Sequence, residues 1–231
     1  MSIHSKINGS VGHLVLDRPE KANAYDRAHL QALEVALKEI ETHCSVMIIR
    51  SSHPSVFCAG ADLNEMKSAT PEDAKRLYSQ ALFTRIARSP LISISVIDGV
   101  AVGGGFELAL STDIRVVSEH GLFRLPETSL GILPAAGGST RLTGLLGASI
   151  AKQVILTGQD ISAQEAIRWG LAVDGGTDPL GTAENLADDL LKRNPAALTA
   201  AKHIIDARAE DVSLAAEREA QAHLYAQRKK T

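Results

Sequence analysis

A chain of 231 residues, 45% hydrophobic and 22% charged, is long enough to bury one sizeable core or one domain with a helical appendage. A net charge of -3 gives no electrostatic footprint for a nucleic-acid partner. The two cysteines, Cys44 and Cys58, exclude a disulfide framework and read as reduced thiols of a cytoplasmic protein.

The start, Met1-Ser2-Ile3-His4-Ser5-Lys6, lacks the basic start and long apolar stretch of a signal peptide. Leu14 to Leu16 is the first β-rich run, followed by a segment capped by Asp26 in which Leu30, Leu33, Leu37 and Ile40 recur at helical spacing. Val46 to Ile49 is the next strand. Thr70 with Pro71, Glu72 and Asp73 opens a helix predicted to run to about Ala87, because a capping hydroxyl, a first-turn proline and acids near the positive end of the dipole coincide. The longest apolar region, residues 91–102, is broken by Ser93, Ser95 and Asp98, so it reads as a strand entering a turn and not as a membrane span. Ile114 to Val117 is another short strand, and Ser162 with Glu165 forms a capping box for a helix toward Trp169, stopped by Gly170. From there the chain is helix-rich, so an α/β core over residues 1–190 is followed by a helical C-terminal segment, 191–231; pattern alone points to a doubly wound sheet.

Two carboxylates stand behind segments suited to close approach of backbone to a ligand. Glu107 follows Gly103-Gly104-Gly105-Phe106, and Glu127 follows Phe123-Arg124-Leu125-Pro126. One carboxylate that takes a proton and one that gives it suit water addition or proton movement, and unshielded glycine N–H groups suit an oxyanion. Phe57-Cys58-Ala59-Gly60-Ala61-Asp62 is a second source of such N–H groups. Each feature also has a plainer explanation: the glycines permit a tight strand-to-helix turn, and a glutamate in a first helical turn is favoured by the dipole. Leu108 replaces the third glycine of a dinucleotide fingerprint, and no Lys-Ser or Lys-Thr follows to make a phosphate loop. The histidines, His4, His13, His29, His43, His53, His120, His203 and His223, show no metal-ligand spacing, so no metal is expected. Cys58 has no histidine paired with it by any motif and reads as a packed thiol.

Five stretches in register carry a family resemblance: residues 18–24, 57–62, 102–109, 125–134 and 137–142. Together they resemble the enoyl-CoA hydratase/isomerase (crotonase) superfamily, over a span from the first strand to Ala207 and beyond. The resemblance implies a right-handed spiral of β-β-α turns. It implies Ala61 and Gly104 as backbone oxyanion donors, Glu107 and Glu127 as the catalytic pair, and the Ala135 N–H as the group that helps hold the water; most relatives have glycine at that last position. It places coenzyme A, as part of an acyl-CoA thioester substrate, near Ala22, Ala24, Ala59, Gly60 and Asp62, with Arg18 or Lys21 near its phosphates. No separate cofactor is implied.

The resulting expectation is an enoyl-CoA hydratase of fatty acid metabolism, with Glu107 accepting a proton from water and Glu127 delivering one to the α carbon. Another crotonase-type reaction on an acyl-CoA or carrier-bound thioester (isomerisation, decarboxylation, C–C hydrolysis) and a scaffold subunit without turnover are the alternatives. Relatives run past residues 225–231 into a further helix, so the resemblance reads this C-terminus as shortened. It also implies a homo-oligomer, a trimer or hexamer, with Leu214, Ala215, Leu224 and Tyr225 as apolar candidates for the interface. Gly104 should begin a helix with its N–H unpaired and directed to the same place as the Ala61 N–H, and the two glutamates should converge.

Overall fold

The computed structural model describes residues 3–68, 70–206, 218, 219, 222 and 226. An antiparallel pair, β1 (Ile3–Asn8) and β2 (Val11–Leu16), opens the chain, and a short 3-10 turn, Pro19–Lys21, leads to α1 (Arg27–His43). Asp26 caps α1 by accepting a 3.0 Å hydrogen bond from the His29 N–H, and the helix buries Leu30, Leu33, Leu37 and Ile40.

The chain then repeats a simple turn. A strand in one sheet is followed by a shorter strand in a second sheet and then by helix: β3 (Val46–Ser51) and β4 (Val56–Cys58) precede α2 (Leu63–Ser68), α3 (Pro71–Lys75) and α4 (Tyr78–Ala87). Next come β5 (Ile92–Ile97), β6 (Val100–Val102) and α5 (Gly104–Leu110). The third turn has β7 (Ile114–Val117), β8 (Leu122–Arg124), a 3-10 turn at Glu127–Leu130 and α6 (Gly138–Thr157), which is kinked at Gly147. After it follow β9 (Ile161–Ser162), α7 (Ala163–Arg168), β10 (Val173–Asp174), α8 (Pro179–Leu191) and α9 (Pro195–Asp206).

The larger sheet has the order β1-β2-β3-β5-β7-β10 and the smaller β4-β6-β8-β9, with β3, β5 and β7 parallel, as are β4, β6 and β8. This is the spiral of β-β-α turns that the resemblance implies, and it replaces the doubly wound sheet that alternation suggests. The difference lies in short turns such as Asp98-Gly99. Gly99 has φ 111 and lies so close to the Ser55 backbone that a Cβ would overlap it, so the chain folds over from one sheet to the next within two residues.

Alternation along the large sheet divides its side chains. Leu14, Leu16, Met47, Ile49, Ile97 and Val117 enter the main core with α1, α4, α5 and α6, whereas Val11, Val46, Ile48, Ile94, Val96 and Val116 pack against Ala183 and Ala187 of α8. Ser93 and Ser95 are fully buried in β5, and both are satisfied: Ser93 donates to Asp113 at 2.9 Å, and Ser95 shares a 2.9 Å bond with Thr112. Lys202 carries α9 onto this network, donating to the Leu91 carbonyl and to Asp113 Oδ2, each at 2.9 Å.

Some local expectations needed correction. The helix opened by Thr70 does not continue to Ala87: α3 ends at Lys75, and α4 begins anew at Tyr78. The Tyr78 hydroxyl bonds Glu34 and its ring lies under Arg27, both on α1, so tertiary contacts reset the helix in a way its own caps do not encode. The region after Gly170 also contributes a strand, β10, parallel to β7. Leu214, Ala215, Leu224 and Tyr225 lie outside the described residues.

Candidate active site

The site forms where the second sheet delivers its chain ends to the loop before α1. Tyr25 and Ala61 make a parallel bridge in which the Tyr25 N–H donates to the Gly60 carbonyl and the Asp62 N–H donates to the Tyr25 carbonyl, both at 2.8 Å. In a parallel bridge of this kind the flanking peptides carry the bonds, which leaves the Ala61 N–H pointing away from the ladder. Gly104 is the first residue of α5, where an N–H has no intrahelical acceptor. Neither the Ala61 nor the Gly104 N–H meets an acceptor among the described residues. The two loops touch: a Cβ on Gly60 would lie 3.1 Å from the Gly104 nitrogen. Gly104 begins a helix, as expected, with its N–H free of an acceptor among the described residues.

Gly103, next in the chain to Gly104, lies against the Glu127 carboxylate. With φ 52 it takes a backbone conformation that favours glycine, its carbonyl accepts from the Glu107 N–H at 2.9 Å, and a Cβ on it would lie 2.9 Å from Glu127 Oε1. Both glutamates are buried, at 4% and 7% exposure, where an ordinary surface carboxylate would be solvated. Their surroundings differ. Glu107 Oε1 accepts a 2.8 Å hydrogen bond from the Gly138 N–H in the first turn of α6. Glu127 Oε2 is buried and has no hydrogen-bond partner among the described residues, and burial pushes the Glu127 carboxyl up to about 7. Glu127 Oε1 thus lies beside Gly103, and Glu107 Oε1 lies at Gly138, at the start of α6.

The remaining sequence candidates fall in two places. The Ala135 N–H also lacks an acceptor among the described residues, while its carbonyl is held by Gln80 Nε2 at 2.6 Å; Gln80 is bonded in turn by Arg218. Ala22, Ala24, Ala59, Gly60 and Asp62 form a single patch, joined by a 3.0 Å bond from the Ala59 N–H to the Ala22 carbonyl and by the Tyr25 bridge. Asn23, with φ 55 and fully bonded to the Arg18 N–H, Ser51 and the Phe57 carbonyl, locks the two loops together. Arg18 faces inward, donating to the Ala24 carbonyl at 2.8 Å and lying within 3.6 Å of Asp26 and Asp62, so its charge braces the patch. Lys21 is exposed at the patch edge. Cys58 donates to the Asn23 carbonyl at 3.1 Å, and burial pushes its thiol up to about 12, as befits a packed thiol and not a nucleophile.

Three site residues escaped sequence reasoning: Tyr25, Gln80 and Gly138. Gly138 stood inside a recognised motif, so its backbone role was discoverable in principle. Tyr25 and Gln80 carry no local signal, because their relevance arises from contacts across more than thirty residues of chain.

A spiral of β-β-α turns with backbone donors from two successive turns and a pair of unlike glutamates defines a class of protein. Residues 6–231 match the family model described as enoyl-CoA hydratase/isomerase. The chain is 37% identical over 212 residues to a probable mitochondrial enoyl-CoA hydratase 2 of Arabidopsis thaliana, covering 87% of this chain and 70% of that one. It is 34% identical over 221 residues to a short-chain-enoyl-CoA hydratase of Clostridium acetobutylicum, covering 92% and 85% respectively. The crystal structure of an enoyl-CoA hydratase from Bacillus anthracis superposes with a TM-score of 0.84 at 31% identity, covering 97% of this chain and 90% of that one. The chain belongs to the enoyl-CoA hydratase/isomerase family.

Proposed function

We propose that this protein hydrates the 2,3 double bond of an enoyl-CoA thioester. The observation that carries the reading is the inequality of the two buried glutamates beside unpaired Ala61 and Gly104 N–H groups. The thioester oxygen sits between those N–H groups, whose fixed dipoles hold the negative charge that develops when the conjugated double bond is attacked. Glu107 takes a proton from a water held near the Ala135 N–H, the resulting hydroxyl bonds to the β carbon, and Glu127 gives its proton to the α carbon. The two carboxyl groups exchange protonation states in the process, and a proton relayed through solvent restores them. The reaction draws on no cofactor beyond the coenzyme A of the substrate, which lies along Ala22, Ala24, Ala59, Gly60 and Asp62, with Lys21 near its phosphates and Arg18 behind the patch. We place the enzyme in the cytoplasm, in fatty acid metabolism, as a homotrimer or hexamer. Among the described residues, no helix is long and apolar enough to cross a membrane.

The test is a panel of enoyl-CoA esters followed by loss of the conjugated thioester absorbance. Absence of turnover on every chain length, with thioester binding intact, would exclude hydration. Double-bond migration is the second reading, favoured by the burial of Glu127: a carboxyl pushed up to about 7 both accepts and returns protons at neutral pH. Glu107→Gln separates the two, since migration through Glu127 alone survives that substitution and hydration does not.

A further inference from the structure

Tyr25 reaches both halves of the oxyanion site. Its peptide N–H and carbonyl bracket Ala61 through two 2.8 Å hydrogen bonds. Its side chain runs the other way: the ring meets Phe83 edge-on at 5.9 Å, and the hydroxyl lies so near Gly104 that a Cβ there would overlap it. Ser79, buried on α4, lies beside the phenolic oxygen. Burial first, and then the nearby charge of Glu107, hold the phenol well above its usual range, so it keeps its proton at any physiological pH. A ring alone would serve for packing against Phe83; a hydroxyl placed against Gly104, with Ser79 beside it, has a further use.

We propose that Tyr25 is a positioning residue for the oxyanion hole, fixing Ala61 through its peptide group and Gly104 through its phenolic hydroxyl, so that the two donors keep one mutual geometry. The inference rests on the thioester-binding reading above. Donors fixed before the reaction cost no reorganisation as charge develops, so loosening one of them lowers the rate of the chemical step more than it weakens ground-state binding. The hydroxyl is the separable half, because Tyr25→Phe keeps the ring, the Phe83 contact and both peptide bonds.

The experiment compares the wild-type chain with Tyr25→Phe, and with Ser79→Ala, which leaves the tyrosine but removes the hydroxyl beside it. Two readouts are taken: steady-state hydration of a short enoyl-CoA, and the red shift of a non-turning-over aryl-acryloyl-CoA, whose conjugated carbonyl reports polarisation by the hole. Tyr25→Phe should lower kcat about tenfold with KM changed less than about twofold, less than the 10²–10³ lost with a direct donor. The bound chromophore should lose part of its red shift at saturation, and Ser79→Ala should move both readouts the same way by less. The thermal midpoint should stay within about 3 °C of wild type. Equal kcat and equal red shift in Tyr25→Phe would overturn the proposal and leave the phenol as packing. A red shift without hydration in the wild type would overturn the hydratase reading alone, the Tyr25 comparison then being read from the chromophore. A wild-type protein that binds no thioester would overturn both.

Discussion

Glu107 and Glu127 are the same residue type, yet Glu107 accepts from the Gly138 N–H of α6 while one buried oxygen of Glu127 has no partner among the described residues. Substituting either by glutamine removes proton transfer while preserving shape, so each should cost about 10²–10⁴ in hydration rate with coenzyme A affinity nearly unchanged, as read by kcat and by binding of free CoA. Glu127 also links activity and stability to pH. Its folded pKa is raised from 4.5 to about 7 by burial, so the neutral form is the stabilised one. The contribution is fully present below the unfolded value and is lost as pH rises through about 7, where ionising a buried carboxyl costs about 3 kcal/mol. Urea titrations at pH 5 and pH 8 should therefore show wild type losing stability relative to Glu127→Gln across that interval. A parallel pH dependence of both proteins would mean that Glu127 is solvated. Cys58 allows a simpler check. Buried and pushed up to about 12, it should resist alkylation in the folded protein and react only after unfolding, with Cys44 the more accessible thiol by mass spectrometry.

At the scale of elements, local signals and tertiary contacts contribute separately. Ser162 and Glu165 form a reciprocal capping box at α7, with bonds of 2.9 and 3.3 Å between side chain and backbone. Ser162→Ala should cost about 1 kcal/mol in chemical denaturation, with no effect on turnover, because α7 supplies nothing to the site. The Thr70 capping box is equally well formed, yet the helix it starts lasts only from Pro71 to Lys75. A cap specifies where a helix begins; its length is set by what the next turn packs against, and here Tyr78 is claimed by Glu34 and Arg27 on α1. That restart places Ser79 and Gln80 under the site, where they meet Tyr25 and Ala135. Gly105 is the matching constraint on α5: a Cβ there would overlap the Cys58 carbonyl, so the helix approaches β4 only because the side chain is absent.

Across the whole molecule, α9 is held to the large sheet by a buried charge. Lys202, with its side chain 4% exposed, reaches the Leu91 carbonyl and Asp113, and Asp113 in turn accepts from the Ser93 N–H and hydroxyl. Lys202→Met should destabilise the protein by about 3–5 kcal/mol, since it leaves the carboxylate without its cation, and the loss should appear in urea denaturation. An unchanged midpoint would show that solvent replaces the lysine and that α9 contributes little to the cooperative unit.

Chemistry was legible in the sequence wherever it depended on neighbours in the chain. Asp26 and Ser162 cap helices through bonds spanning three residues, and the strands at residues 46–49, 92–97 and 114–117 are apolar runs bounded by turn residues. The glycine run and the two glutamates were visible as residue types, and their order along the chain carried the family resemblance. The division of strands between two sheets was decided only in three dimensions, because each short strand chooses its partner from distant parts of the chain. So was the inequality of the carboxylates: desolvation and a donor from α6 act through space, and no local pattern distinguishes Glu107 from Glu127. Tyr25 shows the same division in one residue, since it follows the Asn23-Ala24 pair without any local signal and gains its place only when Gly60, Ala61, Ser79 and Gly104 close around it.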